Sequence, residues 1–260
     1  MMKLDPKEFT RPAACETHGE YTERGGSMFG DTGSVFWWGC PACNTAARER
    51  EQAEAKEREE AARQTRIETR LRVAGIPTGF RGRSLENFTA TTPEQQHALD
   101  IAREYAENFW SRHHAEGRSL VFAGNPGTGK SHLALAIAQH VMRHGTVMYR
   151  DVMDMLRMVR STWSRDSDRS EDEVFTLLGE TIDLLVIDEI GVQRGTEDEQ
   201  IILFDVLNRR YRENRPTILL TNLGFKGLSE FLGPRIIDRL KEKAVFVPFR
   251  WPSYRSDWKE

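Results

Sequence analysis

Excess basic charge is the first thing this sequence lacks. Lysine and arginine number 37 against 40 acidic residues, a formal net charge of −3 over 260 residues. No global field therefore draws in nucleic acid, and any such binding needs a local patch. Long apolar runs are also missing: none approaches the roughly 18 residues that a membrane-spanning helix needs. The opening, MMKLDPKEF, has no apolar stretch of the kind a secretory signal carries. A cytoplasmic protein with no membrane partner is expected. Cysteine is scarce, and an odd count of three argues against a disulfide framework. Glycine and proline are absent from residues 46–74, a stretch in which acid and base alternate at helical spacing. That composition predicts an exposed helix about 40 Å long. With no sustained apolar heptad it does not predict a long coiled coil. It reads either as a solvated spacer or as a partner-binding helix. Gly75 and then Pro77 end it in the usual order.

All three cysteines lie before that helix. Cys15-Glu16-Thr17-His18 and Cys40-Pro41-Ala42-Cys43 are C-x-x-H and C-x-x-C knuckles. Together they supply three thiolates and one imidazole, a closed tetrahedral set for a structural Zn²⁺. Residues 1–45 are too few for a good core, so a metal would supply the missing stability. The stretch between the knuckles fits a ribbon-like loop carrying Tyr21, Phe36 and Trp37. The competing readings are thiols packed as small hydrophobes and a redox C-x-x-C pair. The second has no βαβ pattern around it.

From Ile76 the pattern becomes globular. TPEQQHALDIAREYAENFWSRH reads as a helix capped by Thr92 with Pro93 at its first position. SLVFAG, GTVMYR, DLLVIDEIG, PTILLTN and AVFVPF read as strands, with helices between them. SRDSDRSEDE reads as a mobile polar loop. Strands alternating with helices imply a parallel sheet covered on both faces, an α/β architecture. The expected organisation is a zinc-binding module over 1–45, a charged linker helix over 46–75 and a nucleotide-binding domain over 76–260.

Gly124-Asn125-Pro126-Gly127-Thr128-Gly129-Lys130-Ser131 fits G-x-x-x-x-G-K-S, and it lies between a predicted strand and a predicted helix. Its glycines let backbone N–H groups turn in on the phosphates of ATP, with the helix N-terminus at Lys130–His132 adding positive partial charge. Lys130 should reach the β and γ phosphates, and the Ser131 hydroxyl should ligate Mg²⁺. In LLVIDEI, Asp188 emerges at the end of a buried strand, where a carboxylate suits the same Mg²⁺. Glu189 beside it can polarise a water for attack. Asn222 ends the next strand and reads either as a water-orienting amide or as an ordinary turn residue. Arg239 and Arg255 can neutralise transition-state charge or form surface ion pairs.

Taken together, AGIPTGFRGRSLENF, GNPGTGKSHLALAIA, LLVIDEIG, ILLTN, GPRIIDRL and WPSYR, in this order, resemble the AAA+ ATPases. More narrowly, they are similar to the DnaC-type replicative helicase loaders and their IstB-like transposition-helper relatives. The resemblance covers roughly Arg72 to Arg255. It implies an αβα P-loop sandwich with a reduced or absent C-terminal helical lid. It makes Asn222 the sensor-1 residue, Arg239 an arginine finger acting in trans, with Arg235 as its competitor, and Arg255 the sensor-2 residue. Ile76 and Phe88 would help enclose adenine. It also implies the partners: a replicative helicase hexamer bound through the N-terminal region, single-stranded DNA, and further copies of the chain meeting at the ATP site. ATP hydrolysis would be slow and stimulated by a partner or DNA. Two basic-aromatic clusters, Arg157/Arg160/Trp163 and Arg209/Arg210/Tyr211, could track phosphates and stack bases, or could be packing residues on a solvated face. The zinc-ribbon start departs from the plain helical N-terminus of the best-known loaders and suggests a phage- or prophage-type member. The alternative function is a transposition helper that selects target DNA.

Overall fold

A computed structural model describes residues 7–27, 34–164, 166–192 and 197–255. The chain divides into two compact units, residues 1–67 and 68–260. No helix among the described residues is long and apolar enough to cross a membrane.

The first unit is built on a hairpin. Strands β1 (Lys7–Cys15) and β2 (Gly19–Ser27) pair antiparallel, so that Cys15 opposes Gly19 across the turn. A two-residue strand, β3 (Phe36–Trp37), pairs with β2 at Gly25 and Gly26. The Glu23 carboxylate is buried, and it is satisfied by Arg11 at 2.7 Å and by the Gly39 N–H at 2.9 Å. Helix α1 runs from Pro41 to Val73, so it begins before the glycine- and proline-free stretch and holds Cys43 in its first turn. Among the residues of α1 only Leu71 is buried, as an alternating-charge surface implies.

In the second unit α1 ends on Gly75. Gly75 adopts φ 77°, while its N–H bonds Arg72 O and the Ile76 N–H bonds Leu71 O, each at 3.0 Å. This is the glycine-terminated bonding pattern that satisfies the last carbonyls of a helix. Helix α2 (Pro93–Glu107) starts at a reciprocal cap between Thr92 and Gln95. It ends earlier than its sequence pattern, giving way at Asn108 to a π turn over Phe109–His113 and a one-turn α3 (His114–Glu116).

Five parallel strands follow: β4 (Ser119–Gly124), β5 (Val147–Asp151), β6 (Leu184–Ile190), β7 (Thr217–Thr221) and β8 (Ala244–Phe249), in the order β5-β6-β7-β4-β8. Alternate strand residues feed two cores, one on each face. Leu120, Phe122, Val186 and Leu220 pack with α2 and with α4 (Lys130–Val141). Val121, Leu185, Ile187 and Leu219 pack with α5 (Val152–Ser161), α7 (Glu197–Arg212) and α8 (Phe225–Lys243). The result is an αβα sandwich whose sheet order reverses beside β4, so a ligand crevice opens at the carboxyl ends of β4 and β7.

Two sequence expectations change here. The polar stretch SRDSDRSEDE is not all loop. Arg165 lies outside the described residues, but Ser170 and Glu173 cap each other reciprocally and start α6 (Glu171–Thr176). The Arg209/Arg210/Tyr211 cluster is not a nucleic-acid surface either. Arg210 is only 1% exposed, and its guanidinium is spent on Leu178 O at 2.6 Å, Ile182 O at 3.0 Å, Pro216 O at 2.5 Å and Thr217 Oγ1 at 2.9 Å. Arg209 pairs with Asp172, Glu180 and Asp205, and the Tyr211 hydroxyl donates to Glu242 at 2.6 Å. Successive helix residues point about 100° apart, so one of the two adjacent arginines is carried into the core. Arg210→Ala strands several buried carbonyls and should lower the unfolding free energy by more than about 3 kcal/mol. Arg209→Ala should cost under about 1 kcal/mol. Urea melts of both variants measure the difference.

Candidate functional site

The phosphate-loop segment runs from β4 into α4. Gly124, Gly127 and Gly129 adopt φ of 143°, 74° and 95°, a region in which a side chain is strained. A Cβ at Gly124 would also strike the Phe249 carbonyl. The buried Thr128 closes the turn by donating to Asn125 O at 2.7 Å. Lys130 begins α4 with its side chain buried, and its ammonium donates to Gly124 O at 2.8 Å, Asn125 O at 2.7 Å and Asn222 Oδ1 at 2.9 Å. Burial pulls its pKa down to about 8, against a raising effect of nearby Asp188. Asn222, at the end of β7, is thus brought into the site.

Asp188 and Glu189 sit at an irregularity of β6. Ile187 pairs with Leu219 and Ile190 with Thr221, so β6 holds one extra residue between them. Glu189 takes φ 58°, uncommon for a side-chain residue. In a regular strand consecutive side chains face opposite ways; this bulge re-aims them. Both acids line one cleft. The Ser131 hydroxyl donates to Asp188 Oδ2 at 3.0 Å, and the Tyr149 hydroxyl donates to the same oxygen at 2.8 Å. Burial first, then the Asp188 charge, raise the pKa of Tyr149 and likewise that of Glu189. A hydroxyl and a carboxylate in contact are the oxygen pair that a hard cation such as Mg²⁺ takes beside a phosphate.

The cleft measures about 600 Å³, within the range of small-molecule sites. It is lined by loop and α4 residues of the Pro126–His132 stretch other than Thr128, by Phe80, Arg83 and Phe88, and by Asp188, Glu189 and Asn222. His132 Nε2 donates to Ser84 O at 2.9 Å, and its ring meets Phe88 edge-on at 5.3 Å. Arg255 lines the same cleft. Ile76 is buried in the core, not among the lining residues. Arg239 is not in the lining either: its guanidinium lies 5.1 Å from the centre of the Tyr211 ring and 5.7 Å from that of Phe204, and it donates to Asn208. Arg235 is exposed one turn earlier on α8. Around the first basic-aromatic cluster, Trp163 is exposed, Arg157 pairs with Asp154 at 2.8 Å, and Arg160 lies 4.0 Å from Glu199. Sequence reasoning missed Tyr149. Its signal was a tyrosine near the carboxyl end of the strand beside the acidic one.

In the first unit the four candidate metal ligands converge, their ligand atoms all lying within 4.8 Å of one another. His18 Nδ1 is 3.6 Å from the sulfurs of Cys15 and Cys40 and 3.3 Å from that of Cys43, and Cys15 and Cys43 are 3.5 Å apart. Tetrahedral Zn²⁺ with its usual bond lengths spaces such ligands by roughly 3.5–3.8 Å, so the set fits. Hydrogen bonds from the Thr17 N–H, then from His18, lower the Cys15 thiol to about 6. The hydrogen bond shared with Cys15 raises Cys43 to about 11.

The sheet order and the loop before α4 define an AAA+ P-loop sandwich. Residues 47–260 match the family described as IstB-like ATP binding protein. The replicative helicase loader DnaC of Escherichia coli (strain K12) is 37% identical over 187 residues, 70% of this chain and 73% of that protein. The uncharacterized protein YdaV of the same strain is 35% identical over 195 residues, 74% of this chain and 76% of that one. A crystal structure of the DnaC helicase loader superposes with a TM-score of 0.59 at 23% identity, covering 66% of this chain and 99% of that one. That superposition speaks for the fold. The chain belongs to the IstB-like ATP binding protein family and is of DnaC type.

A bound polyphosphate favours the charged lysine, so binding above pH 8 must take up a proton at Lys130. ATP affinity should hold up to about pH 8, where Lys130 titrates in the empty site, and fall about tenfold per pH unit above it. Titration calorimetry across pH 7–10 measures this.

Proposed function

We propose that this protein is an ATP-dependent loader that binds the replicative DNA helicase hexamer and delivers it onto single-stranded DNA. The observation that carries the reading is its 37% identity to a replicative helicase loader over 73% of that protein. The convergence of Lys130, Ser131, Asp188, Glu189, Asn222 and Arg255 on one cleft supports it.

The proposed chemistry is ATP hydrolysis. Backbone N–H groups of Gly127–Ser131 and the Lys130 ammonium hold the phosphates. Ser131 and Asp188 would hold Mg²⁺, which would supply charge neutralisation on the phosphoryl group. Glu189 takes the proton of the attacking water, and Asn222 orients that water. Arg255 acts on the nucleotide of its own subunit. Arg239, outside its own cleft, acts on a neighbour's, so that ATP favours self-association and hydrolysis releases the partner. Turnover is slow, stimulated by helicase or DNA. Arg157, Arg160 and Trp163 remain the local patch offered to DNA; with neighbouring acids close by, that part of the reading rests on the resemblance. Zn²⁺ on Cys15, His18, Cys40 and Cys43 would close the hairpin onto the start of α1 as a rigid adaptor.

Mixed with the host's replicative helicase, the protein should form a stable complex with ATP. Glu189→Gln should hold that complex while hydrolysis falls at least about a hundredfold. Lys130→Ala should not form it. Co-purification with a transposase and no helicase complex would instead favour the transposition helper. Elemental analysis of the purified full-length chain should give one zinc per subunit. Chelation should unfold the first unit and leave ATP binding intact, as read by hydrogen exchange and calorimetry.

A further inference from the structure

In the nucleotide reading the motif WPSYR contributes only Arg255. The residues before it do more than lead to that arginine. At the end of β8 the Phe249 carbonyl accepts from the Asn125 N–H at 3.1 Å. The buried Trp251 indole donates to Thr128 O at 2.9 Å. Ser253 fills the space that a side chain at Gly127 would need, and the Tyr254 N–H donates to Gly127 O at 3.0 Å. The strand exit is therefore laced to the phosphate loop at Asn125, Gly127 and Thr128.

The Tyr254 side chain then leaves the loop and crosses to the segment before α2. Its hydroxyl donates to Thr89 O, and its ring meets Phe88 edge-on at 6.1 Å. Phe88 in turn stands over Gly129 and against His132. Tyr254 is 47% exposed and lines the cleft beside Phe88, together with Phe80 and Arg83. Asp188 meets the loop at Ser131, where the γ phosphate and its metal would lie, whereas Tyr254 meets it at Gly127, so the Tyr254 end is the one left for a nucleoside.

The geometry points to Tyr254 as the residue that closes the base end of the cleft and holds the nucleoside of ATP by ring stacking. This rests on the proposed ATP site. A tyrosine tied at its hydroxyl and its backbone presents a π-face at little entropic cost, and stacking tolerates any purine. The four-residue strap from Trp251 to Tyr254 then covers the cleft as a helical lid does elsewhere. It also joins the two grips, because the residue that stacks on the base bonds the loop that holds the phosphates.

The test compares ATP with tripolyphosphate, which has the phosphates and no nucleoside, by calorimetry on the full chain. Tyr254→Ala is expected to lose about tenfold or more in ATP affinity and to bind tripolyphosphate within about twofold of wild type. Tyr254→Phe should retain ATP affinity to within about threefold. Tyr254→Leu keeps bulk against Phe88 if the alanine variant does not fold, and it should behave as alanine does. An unchanged ATP affinity in both would overturn the inference. So would an equal loss of both ligands, which would reduce Tyr254 to a support of the loop. A wild-type chain that takes up neither ligand sinks the ATP site itself.

Discussion

The buried ammonium of Lys130 is the constraint around which this molecule is arranged. Its three acceptors, the carbonyls of Gly124 and Asn125 and the Asn222 amide, are neutral. The nearest acid, Asp188, has one oxygen taken by both Ser131 and Tyr149. A cation held by neutral oxygens is solvated but not neutralised, which is why burial lowers its proton affinity. The loop glycines, the β7 terminus and the β6 acid are all placed by the need to house that charge. A polyphosphate completes the site by reversing the deficit. It would also draw the ammonium away from Asn222, the amide proposed to orient the attacking water.

The neighbouring acids show how local strain serves the same purpose. LLVIDEI would alternate its side chains in a regular strand, sending Asp188 and Glu189 to opposite faces. The extra residue between Ile187 and Ile190, with Glu189 at φ 58°, turns both toward the cleft. The Thr221 hydroxyl holds the exit by donating to Ile190 O at 2.7 Å and accepting from the Leu223 N–H at 3.0 Å. A left-handed glutamate costs of the order of 1–3 kcal/mol and persists only where its surroundings over-determine it.

Local chemistry was legible in the sequence; long-range chemistry was not. The phosphate loop, the five strands of the sheet and the caps of α1 and α2 follow from glycine placement, period and capping residues that act within a few positions. The C-x-x-H and C-x-x-C knuckles name their own ligands. What stayed hidden depends on pairing across the fold. Tyr149 meets Asp188 only because β5 and β6 lie side by side in register. Trp251 meets Thr128 across 123 residues. Arg209 and Arg210 read alike, yet their fates divide on the rotation of one helix residue. The β1–β2 hairpin lacks the alternating apolar pattern of a half-buried strand, because most of β1 is exposed.

The proposed trans role of Arg239 would link assembly to the nucleotide. Its guanidinium is not waiting in water; it lies against Tyr211 and Phe204 and bonds Asn208. To act on a neighbour's nucleotide, as proposed, it must give up ring contacts worth about 0.5–1 kcal/mol each. In that proposal a triphosphate at the junction would offer a charge-assisted contact strong enough to draw it out, and a diphosphate would offer less. Arg235, exposed a turn earlier on the same helix face, needs no such exchange and so would respond to any anion. A residue that has to be drawn from a resting place discriminates between nucleotides better than one that is already free.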